Sequence, residues 1–185
     1  MLPEQQQRIL GYFIEEAKDH LNTIEQGLLN LQNTLEDPEM INEVFRAAHS
    51  IKGGAAMLEI DSILQTSHHL EDYFKVLQEY PKIQVDQKLE SLFLKVFDNL
   101  KELLEQLEDS FNLSGDLVNN MMSEIEPVFE ALNQHLGLLV QAGGGVLAEV
   151  KVPAAEVTDI NESQIITLEA EVDLSELFAT KLDKN

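Results

Sequence analysis

Apolar residues recur at steps of three and four along most of the chain. Ile9, Phe13, Ala17, Leu21, Ile24, Leu28, Leu31 and Leu35 draw one stripe down a long first helix. Asp37-Pro38 ends it, because proline cannot continue the hydrogen-bond ladder. Ile41, Val44, Phe45, Ala48, Ile51 and Ala55 trace a second helix. Asp61 reads as the cap of a third, with Leu64, Leu70, Phe74 and Leu77 on its apolar side and Tyr80-Pro81 closing it. Leu89, Leu92, Phe93, Val96, Leu100, Leu103, Leu104 and Leu107 mark a fourth. Ser114 reads as the cap of a fifth helix over 114–139, where Pro127 predicts a kink or two shorter pieces.

Short connections between consecutive helices favour antiparallel neighbours. The predicted fold is therefore all-α: an up-and-down antiparallel four-helix bundle with an additional C-terminal helix. No strand-like alternation interrupts the first 140 residues. After Val140 the periodicity fades. Gly143-Gly144-Gly145 leads into a thin mixture of Ala, Val, Glu and Thr, so 141–185 reads as a flexible acidic linker or tail and 1–140 as the folded domain.

Composition narrows the classes of function. The chain has 34 Asp and Glu against 12 Lys and Arg, a net charge of −22. Phosphate backbones need clustered cations, so nucleic acid is not an expected partner, and anionic lipid is disfavoured for the same reason. No apolar run approaches the ~20 residues of a membrane span. Residues 1–10 show no signal-peptide pattern, and the expected location is the cytoplasm. The absence of cysteine removes disulfides and cysteine-based zinc sites. His20, His49, His68, His69 and His135 include no pair at i, i+4, so no metal site is expected. Gly143-Gly144-Gly145 lacks the Lys-Ser or Lys-Thr of a phosphate loop, and neither HExxH nor GxSxG occurs.

The chemistry concentrates in Phe45-Arg-Ala-Ala-His49-Ser-Ile-Lys52-Gly53-Gly54-Ala-Ala. On a helix His49, Lys52, Gly53 and Ala56 share a ridge, with Arg46 one turn earlier. The ridge runs beside the apolar stripe, which puts the imidazole at the core's edge with its tip in water. Arg46 and Lys52 flank the histidine in a chain poor in cations, and an ammonium suits a phosphoryl group as a point charge. Adjacent glycines inside a helix cost roughly 1 kcal/mol each relative to alanine. Two readings offset that cost: room for another protein to close over His49, or tight helix packing and a helix end. On the third helix His68 and Glu71 stand three apart on one face, with Leu64 and Lys75. A carboxylate there, packed beside the second helix, would accept from Nδ1–H of an imidazole and leave Nε2 outward as nucleophile. The plainer reading of His68 is a polar side chain hydrogen-bonded at a helix interface. His69, about 100° further round, faces solvent or a neighbouring helix.

Ala48-His49-Ser50-Ile51-Lys52-Gly53-Gly54-Ala55 resembles the phosphorylation motif of histidine phosphotransfer (HPt) domains, in the form found at the N-terminus of CheA-type chemotaxis kinases. The resemblance continues through Leu64-Gln65 to His68 and Glu71, includes Phe13-Ile-Glu-Glu-Ala-Lys-Asp-His-Leu, and covers roughly residues 8–110. It implies that His49 is the phosphoacceptor and Lys52 its cationic neighbour. It further implies that Glu71 is the carboxylate on the imidazole, His68 a second polar member, and Gly53 the small residue that admits a partner. The implied partners are a histidine kinase catalytic domain and a response-regulator receiver domain, which bring ATP and Mg²⁺; this chain carries no cofactor of its own. The chain departs from the CheA-like pattern at Met57-Leu58-Glu59-Ile60, where an aromatic-glycine turn is usual. No part of it resembles an ATP-binding kinase core or a receiver, so it reads as the phosphotransfer piece of a longer kinase or as a free-standing relay protein. The competing class is a non-catalytic helical interaction module. A hydrolytic enzyme lacks any nucleophile-plus-oxyanion arrangement here.

Overall fold

Asp37, at the start of the second predicted helix, shows how local chemistry sets the element boundaries. Its carboxylate accepts from the backbone N–H of Glu39 at 3.0 Å and of Met40 at 3.4 Å, and Pro38 occupies the first helical position. The computed structural model describes residues 3–113 and 115–143. Six helices lie among them: α1 (Glu4–Leu29), α2 (Leu31–Glu36), α3 (Pro38–Met57), α4 (Asp61–Glu79), α5 (Gln87–Ser110) and α6 (Gly115–Ala142). α1, α3, α4 and α5 pack in a ring, each touching the next, and α6 lies on α4 and α5. Each long helix turns one apolar face to the common core, where Ile24, Ile51, Phe74 and Phe93 are sealed from solvent.

Four local expectations need correction. The predicted first helix is two helices, broken at Asn30 with φ −142° and ψ 60°. The break turns Leu31 and Leu35 into the core while Leu29 stays 66% exposed. Thr34, fully buried, ties the turn together by donating to the Gly27 carbonyl at 2.8 Å. Ile9 belongs to the exposed side of α1; Leu10 takes its place in the core. Asp61 is the first residue of α4 and not its cap; Ile60 stands at the cap position and makes no side-chain cap bond. At Pro127 the expected alternative of two shorter pieces does not occur: it lies inside one helix. The apolar line Met121, Ile125, Phe129, Leu132, Leu136 and Val140 is buried on both sides of it, and this packing outweighs the lost backbone bond.

α6 runs to Ala142, slightly beyond the predicted 139; Ser114 and the rest of the predicted tail from 144 lie outside the described residues. Several polar contacts specify how α6 docks. The Tyr73 hydroxyl donates to the Phe129 carbonyl at 3.2 Å, and the His69 ring stacks on Phe129 with centroids 3.9 Å apart. His135 on α6 reaches both oxygens of Asp86 at 2.8 Å, while Asp86 also caps α5 by accepting from Leu89 N–H. His69 is therefore an interface residue under α6. No described helix is long and apolar enough to cross a membrane.

Candidate functional site

The three-residue connection Leu58-Glu59-Ile60 folds α4 back along α3. Ile60 N–H reaches the Ala55 carbonyl at 2.9 Å, and Glu59 adopts a left-handed φ of 57°. The turn thus keeps the geometry that favours glycine, with a glutamate in it. In such a reversal, positions equally far from residue 60 face each other across the two helices. His49 on α3 consequently lies opposite Glu71 on α4.

The imidazole Nδ1 of His49 is 2.8 Å from Glu71 Oε1. Lys52 Nζ lies 2.5 Å from the other oxygen, Oε2. One buried carboxylate therefore holds both side chains by separate atoms. Burial pushes the Glu71 carboxyl up, but the bonds from Lys52 and His49 outweigh it and hold it below the usual carboxylate range. An ionised carboxylate on Nδ1 demands a proton there, so the neutral ring carries its lone pair on Nε2. The His49 side chain is 28% exposed, enough to present one ring edge to a partner.

Phe45, one turn before His49, stacks on the imidazole with centroids 6.3 Å apart and planes 20° from parallel. Its i, i+4 spacing was the available signal, although the stripe alone placed it only in the core. Lys52 is brought against Glu71, an arrangement that its spacing from His49 does not reveal. His68 is directed elsewhere: its Nε2 lies 3.5 Å from Asp72 Oδ2 one turn on, on the exposed side of α4. Burial raises the Asp72 carboxyl, against the pull of His68 and with a push from Glu71. Arg46 is exposed on α3.

The two glycines part company. A Cβ on Gly53 would meet nothing within 4 Å, whereas one on Gly54 would fall 2.6 Å from Phe13 Cδ2. Gly54 is small because α1 presses against α3 there; Gly53 leaves open space one turn beyond His49. Gly54 thus fits the packing reading, and Gly53 has the free space that the access reading requires. Among the described residues, no group of three His, Asp or Glu is placed to hold a metal ion.

The motif implied a carboxylate on the imidazole of a helical bundle, and Glu71 stands there on a partly exposed His49. The anchoring of Lys52 on the second oxygen and the turn of His68 towards Asp72 are additions of the structure. The family model described as "Hpt domain" matches residues 8–110, and the chain belongs to that family. Among curated relatives it is 30% identical over 165 residues to "Chemotaxis protein CheA" of Salmonella typhimurium, covering 89% of this chain and 23% of that protein. It is 28% identical over 126 residues to "Chemotaxis protein CheA" of Borreliella burgdorferi, 68% of this chain and 14% of that one. The chain thus spans less than a quarter of the length of these relatives. Among solved structures, the phosphorylated P1 domain of CheA3 in complex with CheY6 from R. sphaeroides matches with a TM-score of 0.57 at 20% identity, covering 71% of this chain and 98% of that one. That likeness shows the helical-bundle fold.

Proposed function

We propose that this chain is a phosphorelay intermediate in which Nε2 of His49 takes up a phosphoryl group and passes it on. The observation that carries the reading is the His49–Glu71 bond of 2.8 Å at Nδ1, on a side chain that stays 28% exposed. In uptake, the Nε2 lone pair forms a P–N bond as the P–O bond to the leaving group breaks. The leaving group is ADP in a kinase domain, or the carboxylate of a receiver's aspartyl phosphate. The Nδ1 proton stays on the ring, shared with Glu71, whose negative charge balances the cationic ring that forms. In transfer onward, a receiver aspartate takes the phosphoryl group, the P–N bond breaks, and Nε2 regains its lone pair.

The partner domains supply ATP and Mg²⁺, and the chain supplies position. Lys52, anchored on the carboxylate that holds the imidazole, is a cation at hand for phosphoryl oxygens. The CheA relatives and the solved P1–CheY6 complex support a kinase domain as donor and a receiver as acceptor. Such contacts are transient and fall in the interface class below ~1,200 Å². The cytoplasm, where ATP-dependent kinases act, is the compartment this reading assigns.

The test is to incubate the chain with a CheA-type kinase core and ATP and look for phosphate that is labile in acid and stable in alkali. Labelling confined to His49 supports the proposal. An unlabelled chain in the presence of an active kinase core and of phosphoramidate leaves the helical interaction module as the better reading.

A further inference from the structure

Four side chains make an apolar patch at one end of the bundle. Met57 is 64% exposed and Phe111 42%, and Ile9 and Val118 stand beside them around a cleft of about 580 Å³. The cleft lies where the α3–α4 turn, the start of α1 and the α5–α6 connection meet, and Glu59 and Asp61 give it an acidic rim. Both non-glycine residues of positive φ among the described residues, Glu59 at 57° and Phe111 at 51°, line it. Left-handed backbone favours glycine, so the chain keeps an acid and an aromatic ring at the two rim positions where glycine would relieve strain.

Met57, on the cleft's lining, belongs to the same helix as His49. His49, Gly53, Ala56 and Met57 follow one another along the same side of α3, and Gly53 leaves that path open. Eight residues of helix separate His49 from Met57, about 12 Å along the axis. A transient interface of ~1,200 Å² covers ~600 Å² on each partner, a disc on the order of 14 Å in radius. A protein centred on His49 therefore reaches Met57 and the mouth of the cleft.

We propose that the cleft is the second half of the receiver-docking surface, taking an apolar side chain flanked by Lys or Arg on the receiver domain. The proposal rests on the phosphotransfer reading of His49. The apolar floor and acidic rim define the chemistry of the occupant, and the reach of a protein centred on His49 defines which protein brings it.

The test uses purified receiver domains from the same genome, taking the one that drains phosphohistidine from the chain fastest. Its affinity for the unphosphorylated chain is measured for wild type, for Met57→Ser with Phe111→Asn, and for Leu138→Ser as a control on an exposed leucine of α6. Asparagine tolerates the left-handed backbone of residue 111, and labelling by phosphoramidate shows that each variant presents a competent His49. The double variant should bind the receiver at least tenfold more weakly and transfer more slowly at low receiver concentration, while Leu138→Ser behaves as wild type. Affinity within twofold of wild type, with transfer intact, overturns the docking proposal and leaves the phosphotransfer reading standing. Self-association of the chain that the double variant abolishes, without effect on the receiver, assigns the cleft to a second copy and also overturns it. Failure of wild-type His49 to label at all removes the phosphotransfer reading first.

Discussion

α4 carries two histidine environments on its two sides, and they treat the same ring in opposite ways. Towards α3, Glu71 holds the His49 imidazole by Nδ1 on a side chain that remains partly exposed. Towards α6, His69 is stacked on Phe129, with Tyr73 at its edge, and burial drives its pKa down to about 4. One ring is oriented by a charge and open; the other is covered by aromatics and kept neutral. The difference teaches that reactivity here comes from what stands behind the ring. On the proposed function, the carboxylate behind His49 makes it a nucleophile, whereas the closed aromatic contact makes His69 a helix clamp.

The largest expected effect breaks the comparison outright. His49→Gln should abolish phosphate uptake and change the unfolding midpoint little, since substitutions at such half-exposed sites usually cost within ±0.5 kcal/mol. His69→Gln should do the reverse, keeping uptake and lowering stability. Labelling and thermal melts of the two variants check the pair; persistent labelling of His49→Gln would move the chemistry to another histidine. Next in size is Glu71→Ala, which removes the orienting group and keeps the nucleophile. Uptake should slow on the order of tenfold, about 1.4 kcal/mol of barrier. The ¹⁵N shifts of His49 should show the proton no longer confined to Nδ1. An unchanged tautomer would deny the carboxylate its role.

How much of this contrast was legible beforehand follows from where each contact lies. His49, Lys52 and Gly53 share one helix, so three- and four-residue spacing put them together, and the bundle followed from the same periodicity. Spacing offered a carboxylate of the third helix to the imidazole only if the two helices packed side by side; the motif resemblance assigned Glu71, and the two side chains lie 2.8 Å apart. The anchoring of Lys52 on Glu71 and the stacking of His69 on Phe129 depend on how helices cross, which a stripe does not encode. The break at Asn30 escaped for a related reason: Leu28, Leu31 and Leu35 keep a helical spacing straight through it. At Pro127 the sequence left two outcomes open, and the buried line of α6 on either side of it in the chain keeps the two halves in one helix.

Overpacking offers the next effect. Gly54→Ala places a methyl 2.6 Å from the Phe13 ring and should cost about 1–3 kcal/mol in a denaturant melt. Uptake per folded molecule should stay normal.

Acid sharpens the contrast between the two imidazoles. His69 titrates at about 4 because burial, helped by neighbouring His68, resists the proton. The unfolded chain takes that proton near 6.5, so this group removes stability as pH falls from about 6.5 to about 4 and removes none above that window. His20, lowered by burial against the pull of Glu16 and Asp19, acts in the same sense. Glu71 has the opposite sign of charge: its lowered carboxyl contributes stability that is kept above the ordinary carboxylate range and lost only as pH falls through its folded value. A drop in melting temperature between pH 7 and 5 therefore belongs to the covered imidazoles. His69→Phe keeps a ring on Phe129 and should shrink that drop without touching phosphate uptake. An equal drop in the variant would assign it elsewhere.

The smallest effect on stability distinguishes the two glycines most cleanly. Gly53 is helical, free of neighbours within 4 Å, and one turn beyond His49. Replacing such a glycine reduces the freedom of the unfolded chain and gains about 0.4–1 kcal/mol. Gly53→Gln should therefore hold or raise the melting temperature. Its side chain would stand where a kinase or receiver must approach, so transfer to and from protein partners should slow. Phosphoramidate needs no docking surface, and its labelling of His49 should change much less. Equal slowing with both donors would mean that residue 53 shapes the imidazole's own setting. Loss of stability with normal transfer would mean that Gly53, like Gly54, is small for packing, and the open space beside it would then have no bearing on partner access.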